Sequence, residues 1–362
     1  MSLYIGLMSG TSMDGIDAAL VDVTTHTLLG GITKAYSAQA YDYIHQLITA
    51  NTVTLPQIWQ VNRLLGQEFA AAANTLLQQV GYEASAVTAI GSHGQTIIHD
   101  VTVAQPYTIQ LACPHTIAEA TGLPVVADFR TRDVVLGGQG APFAPIYHQA
   151  VFGQSKSPLA VINIGGIANI TVLPPTGNVT GYDLGPGNCL MDAWVQQTLG
   201  QAFDQEGRYA AQGTVIPELL DILLRDTYFQ IPYPKSICKS YFSLAWLQPH
   251  LRSHYAPQDI QATLLALTAR CMAQAIMTSP IPLERVALCG GGARNQALST
   301  LLRQLLPNVL VLSTHDLGID PDFLEAMMFA WLAHQTLSGT HVDMTQTTGA
   351  NKPAILGAIY KV

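Results

Sequence analysis

Charge is what this sequence has least of. Asp, Glu, Lys and Arg make up 11% of its 362 residues, against about 25% in an average soluble protein. With 49% of residues drawn from the apolar and aromatic set, intrinsic disorder is excluded. Cations are the scarcer sign, 16 against 24 acidic residues for a net charge of −8. No basic run occurs, which argues against a nucleic-acid surface and for small-molecule partners. Cysteine is rare and unpatterned. The five residues (Cys113, Cys189, Cys238, Cys271, Cys289) form no CxxC pair, so neither a disulfide framework nor a zinc ribbon is indicated. The stretch that reads as most apolar, Leu159 to Leu173, is broken by Asn163 and Asn169 and falls short of the roughly 20 residues a membrane helix needs. Residues 1–15 carry neither a basic leader nor a continuous apolar segment. The expectation is a cytoplasmic protein that engages neither membrane nor nucleic acid.

What is present is a repeated strand grammar. An apolar run (Leu3 to Met8), a small-residue turn (Ser9 to Gly15), a second run (Ile16 to Val23) and a third (Leu28 to Tyr36) open the chain. Two helical stretches follow, Tyr41 to Ala50 and Pro56 to Val80, then strand signals at Val87 to Ser92 and Pro124 to Ala127. The pattern returns at Leu159 to Ile164, Ala168 to Leu173 and Val179 to Leu184, with turn Gly165-Gly166 between the first two. Helices near Cys189 to Leu199, Pro217 to Asp226, Pro257 to Thr278 and Pro321 to Ser338, and strands at Arg285 to Cys289 and Val309 to Leu312, complete the reading. Two copies of a β-β-β unit imply two α/β lobes facing a crevice, the usual seat of ligands. The glycine- and proline-rich loop Val135 to Pro145 marks the expected boundary: residues 1–135, completed by 345–362, form lobe I, and 136–344 lobe II.

Four glycine-rich turns follow apolar strands: Ser9 to Gly15, Gly165-Gly166, Gly185-Pro186-Gly187 and Gly290-Gly291-Gly292. Each alone suits a tight hairpin. Together they suit backbone N–H nests for phosphate oxygens. GxxxxGK[ST] is absent, and the 290–295 stretch ends in Asn where a dinucleotide fingerprint has Gly or Ala, so a P-loop or Rossmann site is not indicated. Asp183, just ahead of the Gly185 turn, is the best candidate base, though an aspartate there also caps a turn. Asp14 and Asp17 flank Gly15 and suit a hydrated Mg²⁺. His93 and His99 lack the spacing of a helical zinc pair. Arg130 suits a substrate carboxylate or an ordinary salt bridge, and Glu325 either the crevice or a helix N-terminus.

The segments MSGTSMDGIDAAL, GSHGQTIIH, ADFRTRDVVLGGQGAPFAP, INIGGIANIT, YDLGPGNCLMDAW, DQEGRYAAQG and LCGGGARN succeed one another over nearly the whole chain. In this the sequence resembles the anhydro-N-acetylmuramic acid kinases of bacterial cell-wall recycling. The resemblance implies two duplicated ribonuclease-H-like lobes, the actin-like ATPase fold, around a central cleft. It implies ATP and Mg²⁺ as cofactors, a homodimer, and the conversion of 1,6-anhydro-N-acetylmuramic acid, ATP and water into N-acetylmuramic acid 6-phosphate and ADP. Asp183 matches the catalytic base. Gly10, Thr11, Ser12, Met13, Asp14, Gly15, Ile16 and Asp17 match the ATP phosphate segment, Gly165 and Gly166 a second phosphate turn, and Gly290, Gly291 and Gly292 the adenosine motif. Arg130 and Glu325 match positions expected to contact the sugar. A chaperone-type nucleotide-gated module and a kinase for another amino sugar are the alternatives. The chain departs from the family pattern at Pro234 to Ser240, where a segment like PKSTGRE is expected, and before Thr348-Gly349-Ala350. Neither departure is expected to touch Asp183 or Gly10 to Asp17.

Overall fold

The computed structural model describes residues 1–10, 13, 15–50, 52–155, 157–233, 235–237 and 241–362. It divides into two compact units, Met1–Tyr147 with Phe323–Val362, and His148–Asp322. The first unit holds strands β1 (Leu3–Ser9), β2 (Ile16–Asp22), β3 (Thr27–Lys34), β4 (Ala89–Asp100), β5 (Tyr107–Leu111), β6 (Val125–Ala127) and, from the far end of the chain, β12 (Ala358–Tyr360). The second holds β7 (Leu159–Ile164), β8 (Ile167–Leu173), β9 (Thr180–Pro186), β10 (Arg285–Cys289) and β11 (Leu310–Ser313).

The two sheets repeat one topology. In the first, the order β6-β4-β1-β2-β3 runs through an antiparallel meander (β1 to β3) extended by parallel strands β4 and β6. In the second, β11-β10-β7-β8-β9 is the same arrangement, a meander (β7 to β9) extended by parallel β10 and β11. This is the ribonuclease-H-like order, present twice. The central strands β1 and β7 are buried along almost their whole length, as strands covered on both faces must be, which is why they read as continuous apolar runs.

Packing accounts for elements that periodicity alone assigned differently. Helix Leu324–Leu337, placed in lobe II by the sequence division, packs on β1 and β4 of the first unit. It does so at two glycines: a Cβ on Gly6 would fall on the carbonyl oxygen of Ala326, and one on Gly91 on that of Phe329. The glycine-rich loop expected as a boundary lies inside the first unit. There the Gln139 N–H donates to Thr348 O at 2.9 Å and the Gly140 N–H to Asp133 Oδ2 at 2.7 Å. Strands β5 and β12 and helices Pro114–Thr121, Phe129–Val135 and Ala144–Phe152 are additions to the reading from sequence. Among the described residues, helix Pro257–Met277, rather than Leu159 to Leu173, is the one helix long and apolar enough to cross a bilayer by composition. Its most apolar window is 83% buried, within the second unit's core, which also holds Trp194 and Leu219.

The contact at Gly6 and Gly91 makes a prediction. Gly91→Ala forces helix Leu324–Leu337 off the sheet and should cost about 1–3 kcal/mol in urea unfolding. A loss below about 0.5 kcal/mol, the range of neutral surface changes, would mean that the helix does not rest on the strand backbone.

Candidate active site

In the first unit the functional candidates gather around the end of β1. Gly10 O accepts from the Met13 N–H at 3.2 Å and from Gln95 Nε2 at 3.3 Å. Ser9 Oγ lies 2.8 Å from both Gly15 O and Gln95 Oε1, and the Tyr36 hydroxyl also donates to Gln95 Oε1 at 3.2 Å. The fully buried Gln95 therefore ties the two ends of the Gly10 to Gly15 turn to β4. Thr11, Ser12 and Asp14 lie outside the described residues. Ile16 begins β2 and is wholly buried, fixing the register that sets Asp17 opposite Thr33. The Thr33 hydroxyl donates to Asp17 Oδ1 at 2.6 Å.

Arg130 lies at the start of helix Phe129–Val135, and no ion pair among the described residues engages it. Its Nε donates to His93 Nε2 at 2.9 Å and its Nη1 to Gly140 O at 2.6 Å. The His93 ring must therefore carry its proton on Nδ1, which sits 2.8 Å from Gly94 O. Burial and the neighbouring guanidinium hold that imidazole neutral, well below its ordinary value. Burial also brings Arg130 down to about 10, opposed by the charges of Glu325 and Asp133. Glu325, second residue of its helix and half-buried, is pushed up by burial and by the charge of Asp17, and lowered by Arg130. Asp17, Glu325 and Arg130 thus form one electrostatic group, whereas Asp183 belongs to the second unit. His93 and Gln95 were not singled out as site residues; their signal is the GSHGQ segment itself, a polar run in an otherwise apolar strand.

In the second unit three of the four glycine turns meet. Gly187 and Asn188 donate through N–H to Gly166 O and Gly165 O at 2.9 and 2.8 Å. A Cβ on Gly292 would run into Ile164 and the Asn188 amide, and one on Gly290 into Asn163 Oδ1. Gly290 has φ 75°, a conformation that glycine takes at little cost.

Asp183 sits in β9. Its carboxylate Oδ2 accepts the Ile237 N–H at 2.9 Å, its own N–H donates to Lys235 O at 3.0 Å, and the Tyr228 hydroxyl donates to its carbonyl at 2.8 Å. Burial pushes the carboxyl up to about 6, against the lowering effect of the Ile237 N–H and the Lys235 ammonium. Lys235 is itself held over the Tyr228 ring, 4.4 Å from its centre. The segment that departs from the family pattern is thus, at Lys235 and Ile237, the backbone that fixes Asp183. This corrects the expectation that the divergent segment leaves Asp183 untouched: the Ile237 N–H bonds the carboxylate across 54 residues of chain. Pro234, Cys238, Lys239 and Ser240 lie outside the described residues.

Comparison with known proteins bears on this arrangement. The anhydro-N-acetylmuramic acid kinase family model matches residues 2–362. The chain belongs to that family. It is 54% identical over 362 residues to an anhydro-N-acetylmuramic acid kinase of Legionella pneumophila, covering all of this chain and 99% of the relative. It is 46% identical over 365 residues to one of Xylella fastidiosa, covering 99% and 96%. Among solved structures, component A of the Acidaminococcus fermentans (R)-2-hydroxyglutaryl-CoA dehydratase superposes with a TM-score of 0.51 at 11% identity, covering 93% of this chain and all of the other. At that identity the likeness is one of fold, and the fold is the duplicated actin-like ATPase architecture. The family is one of kinases, which sets the chaperone-type module aside and implies use of ATP.

The electrostatics of Asp183 can be tested alone. Lys235→Met removes an ammonium that favours the ionised carboxyl, so the Asp183 midpoint followed by ¹³C NMR should rise. An unchanged or lower midpoint would contradict the arrangement.

Proposed function

We propose that this chain opens 1,6-anhydro-N-acetylmuramic acid with water and phosphorylates O6 at the expense of ATP, giving N-acetylmuramic acid 6-phosphate and ADP in cell-wall recycling. The observation that carries the reading is the Asp183 carboxylate, which accepts the Ile237 N–H at 2.9 Å on a strand whose main chain is pinned by Lys235 and Tyr228, with burial raising its pKa to about 6. A general base works best with a pKa near the working pH, where it is ionised yet still a competent proton acceptor.

The bicyclic sugar has no free O6 hydroxyl. Water must attack C1 while the C1–O6 bond breaks, and O6 must take the γ-phosphoryl group as the bond to the β-phosphate oxygen breaks. Asp183 accepts the proton that water gives up, the part a carboxylate base plays in an inverting glycosidase, and phosphoryl capture replaces the acid that would otherwise stabilise departing O6. Gly10 to Asp17 and Gly165-Gly166 take the phosphates and Gly290 to Gly292 the adenosine. Support comes from their backbone geometry: three turns are locked against one another, and the fourth is tied down by Gln95. Arg130 takes the lactyl carboxylate. Its bonds to His93 and Gly140 go to neutral acceptors through Nε and Nη1, and no ion pair among the described residues neutralises its charge. Glu325 meets a sugar hydroxyl.

Mg²⁺ fits the first unit's chemistry. Asp17 raises the pKa of Glu325, the mark of negative charge gathered in a poorly solvated place, and a hydrated Mg²⁺ needs only one or two carboxylates beside phosphate oxygens. Asp17 would hold it through water, and the ion supplies neutralisation of phosphate charge. The same reading includes a homodimer working in the cytoplasm, as the family resemblance implies.

Asp183→Asn should lower kcat by about 10²–10⁴ without loss of thermal stability, since the amide keeps an acceptor for Ile237 and removes a costly buried charge. The sign follows from the raised pKa: the folded protein binds this proton more readily than the unfolded chain, so the ionised group opposes folding at neutral pH. In the unsubstituted enzyme kcat/KM should fall as pH drops through about 6. Phosphate transfer to the anhydro sugar, assayed beside N-acetylmuramic acid, tests both. Turnover of the variant within about tenfold of the parent would exclude this base, and preference for the opened sugar would exclude ring-opening.

A further inference from the structure

The register of the second sheet sets four side chains in a row across four strands: Cys289 of β10 opposite Asn163 of β7, Asn163 opposite Asn169 of β8, and Asn169 opposite Asp183 of β9. Opposed residues project from the same face, and in the antiparallel pairs Asn163–Asn169 and Asn169–Asp183 such Cβ atoms lie about 4.5–5.5 Å apart. Ala168, Ile170 and Leu184 enter the hydrophobic core on the other face, so the polar row is turned away from that core. A register shift between Ala168 and Asn169 makes Leu184 the extra residue on β9 and brings Asp183 opposite Asn169. Without the bulge, the next residue along would oppose it.

Asn169 stands in the middle of this row. On one side is Asp183. On the other is Asn163, whose Oδ1 fills the space a Cβ on Gly290 would need, so that end of the row abuts the Gly290 turn. Asn169 Oδ1 is buried and has no hydrogen-bond partner among the described residues. A buried acceptor left unmade costs about 1–3 kcal/mol and such atoms are few in native proteins. The ionised carboxyl of Asp183 brings no hydrogen to it. A small donor such as water, with hydrogens of its own, satisfies such an acceptor.

We propose that Asn169 is a positioning residue for the attacking water: one hydrogen of that water points to the Asp183 carboxylate and the other to Asn169 Oδ1. Two acceptors on neighbouring strands fix both O–H directions, and with them the direction of the oxygen lone pair that must meet C1. The Asp183 acceptor takes a proton in the reaction and the Asn169 acceptor takes none. This rests on the reading of Asp183 as the base and adds to it the group that aims the nucleophile.

The test uses the full-length enzyme. Asn169→Ala should lower kcat by about 10- to 100-fold, the order expected when a reacting group is misplaced by an ångström, with KM for ATP within about twofold. Asn169→Asp keeps an acceptor oxygen at the same reach, so it should recover part of that kcat. It also sets a second carboxylate beside Asp183, which disfavours ionisation of the pair, so the acid limb of the pH profile should move to higher pH. A folded Asn169→Ala enzyme with kcat within threefold of the parent would overturn the proposal. So would alanine and aspartate variants that are equally impaired with an unmoved acid limb, which is how a purely structural residue behaves. If the alanine variant does not fold, the aspartate variant decides through its pH profile. Asp183→Asn, run in parallel, separates the two ideas: an inactive Asp183→Asn beside an active Asn169→Ala rejects only the role of Asn169, whereas an active Asp183→Asn rejects the base.

Discussion

Holding one carboxylate ionised where water is scarce is the demand around which the second unit is built. Burial moves the Asp183 carboxyl up to about 6, which makes it useful as a base and costly to keep charged. The neighbourhood offsets that cost only in part. Among the described residues one backbone N–H reaches an oxygen and one ammonium stands nearby, instead of the two or three donors that can hold a carboxylate far below its ordinary value. A fully paired Asp183 would be more stable and a worse proton acceptor. The Lys235 to Ile237 backbone supplies this measured support, and the core below β8 and β9, from Ile170 to Met272, keeps the strand that carries the aspartate from moving.

The first unit meets its buried charge in a different way. Arg130 is bonded to a neutral imidazole and a carbonyl, with the carboxylates of Glu325 and Asp133 acting through space. A chain so poor in charge has few counter-ions to spend, and neutral acceptors orient a guanidinium without cancelling it. That leaves its field available to a substrate carboxylate. The glycines at 6 and 91 serve the same end, because they seat the helix bearing Glu325 directly on strand backbone, where a side chain would hold it away.

Much of the fold was legible because its signal is local. Apolar runs such as Leu3 to Met8 and Leu159 to Ile164 lie within the observed strands, and the repeated β-β-β grammar corresponds to a repeated sheet order. Edge strands β5 and β12 were not legible, since β5 has a half-exposed sequence and β12 pairs with β6 from more than 200 residues away in the chain. The placement of helix Leu324–Leu337 was missed for a related reason: its apolar faces are compatible with either lobe, and only the glycines opposite decide. For the site, residue types and turns pointed to Asp183, Arg130 and the glycine motifs. Register-dependent partners did not show. Nothing in the spacing of Asn163, Asn169 and Asp183 reveals that they share one row, and nothing in the divergent segment at 235–237 reveals that it touches the carboxylate.

In the proposed reaction water attacks the anomeric carbon while the phosphoryl group goes to O6. One turnover in H₂¹⁸O, followed by mass spectrometry of the isolated sugar phosphate before and after removal of its phosphate, reads this directly. Attack of water at C1 puts one ¹⁸O on the sugar at C1 and none in the phosphate group. Label in the phosphate, or an unlabelled sugar corrected for exchange at C1, would contradict it.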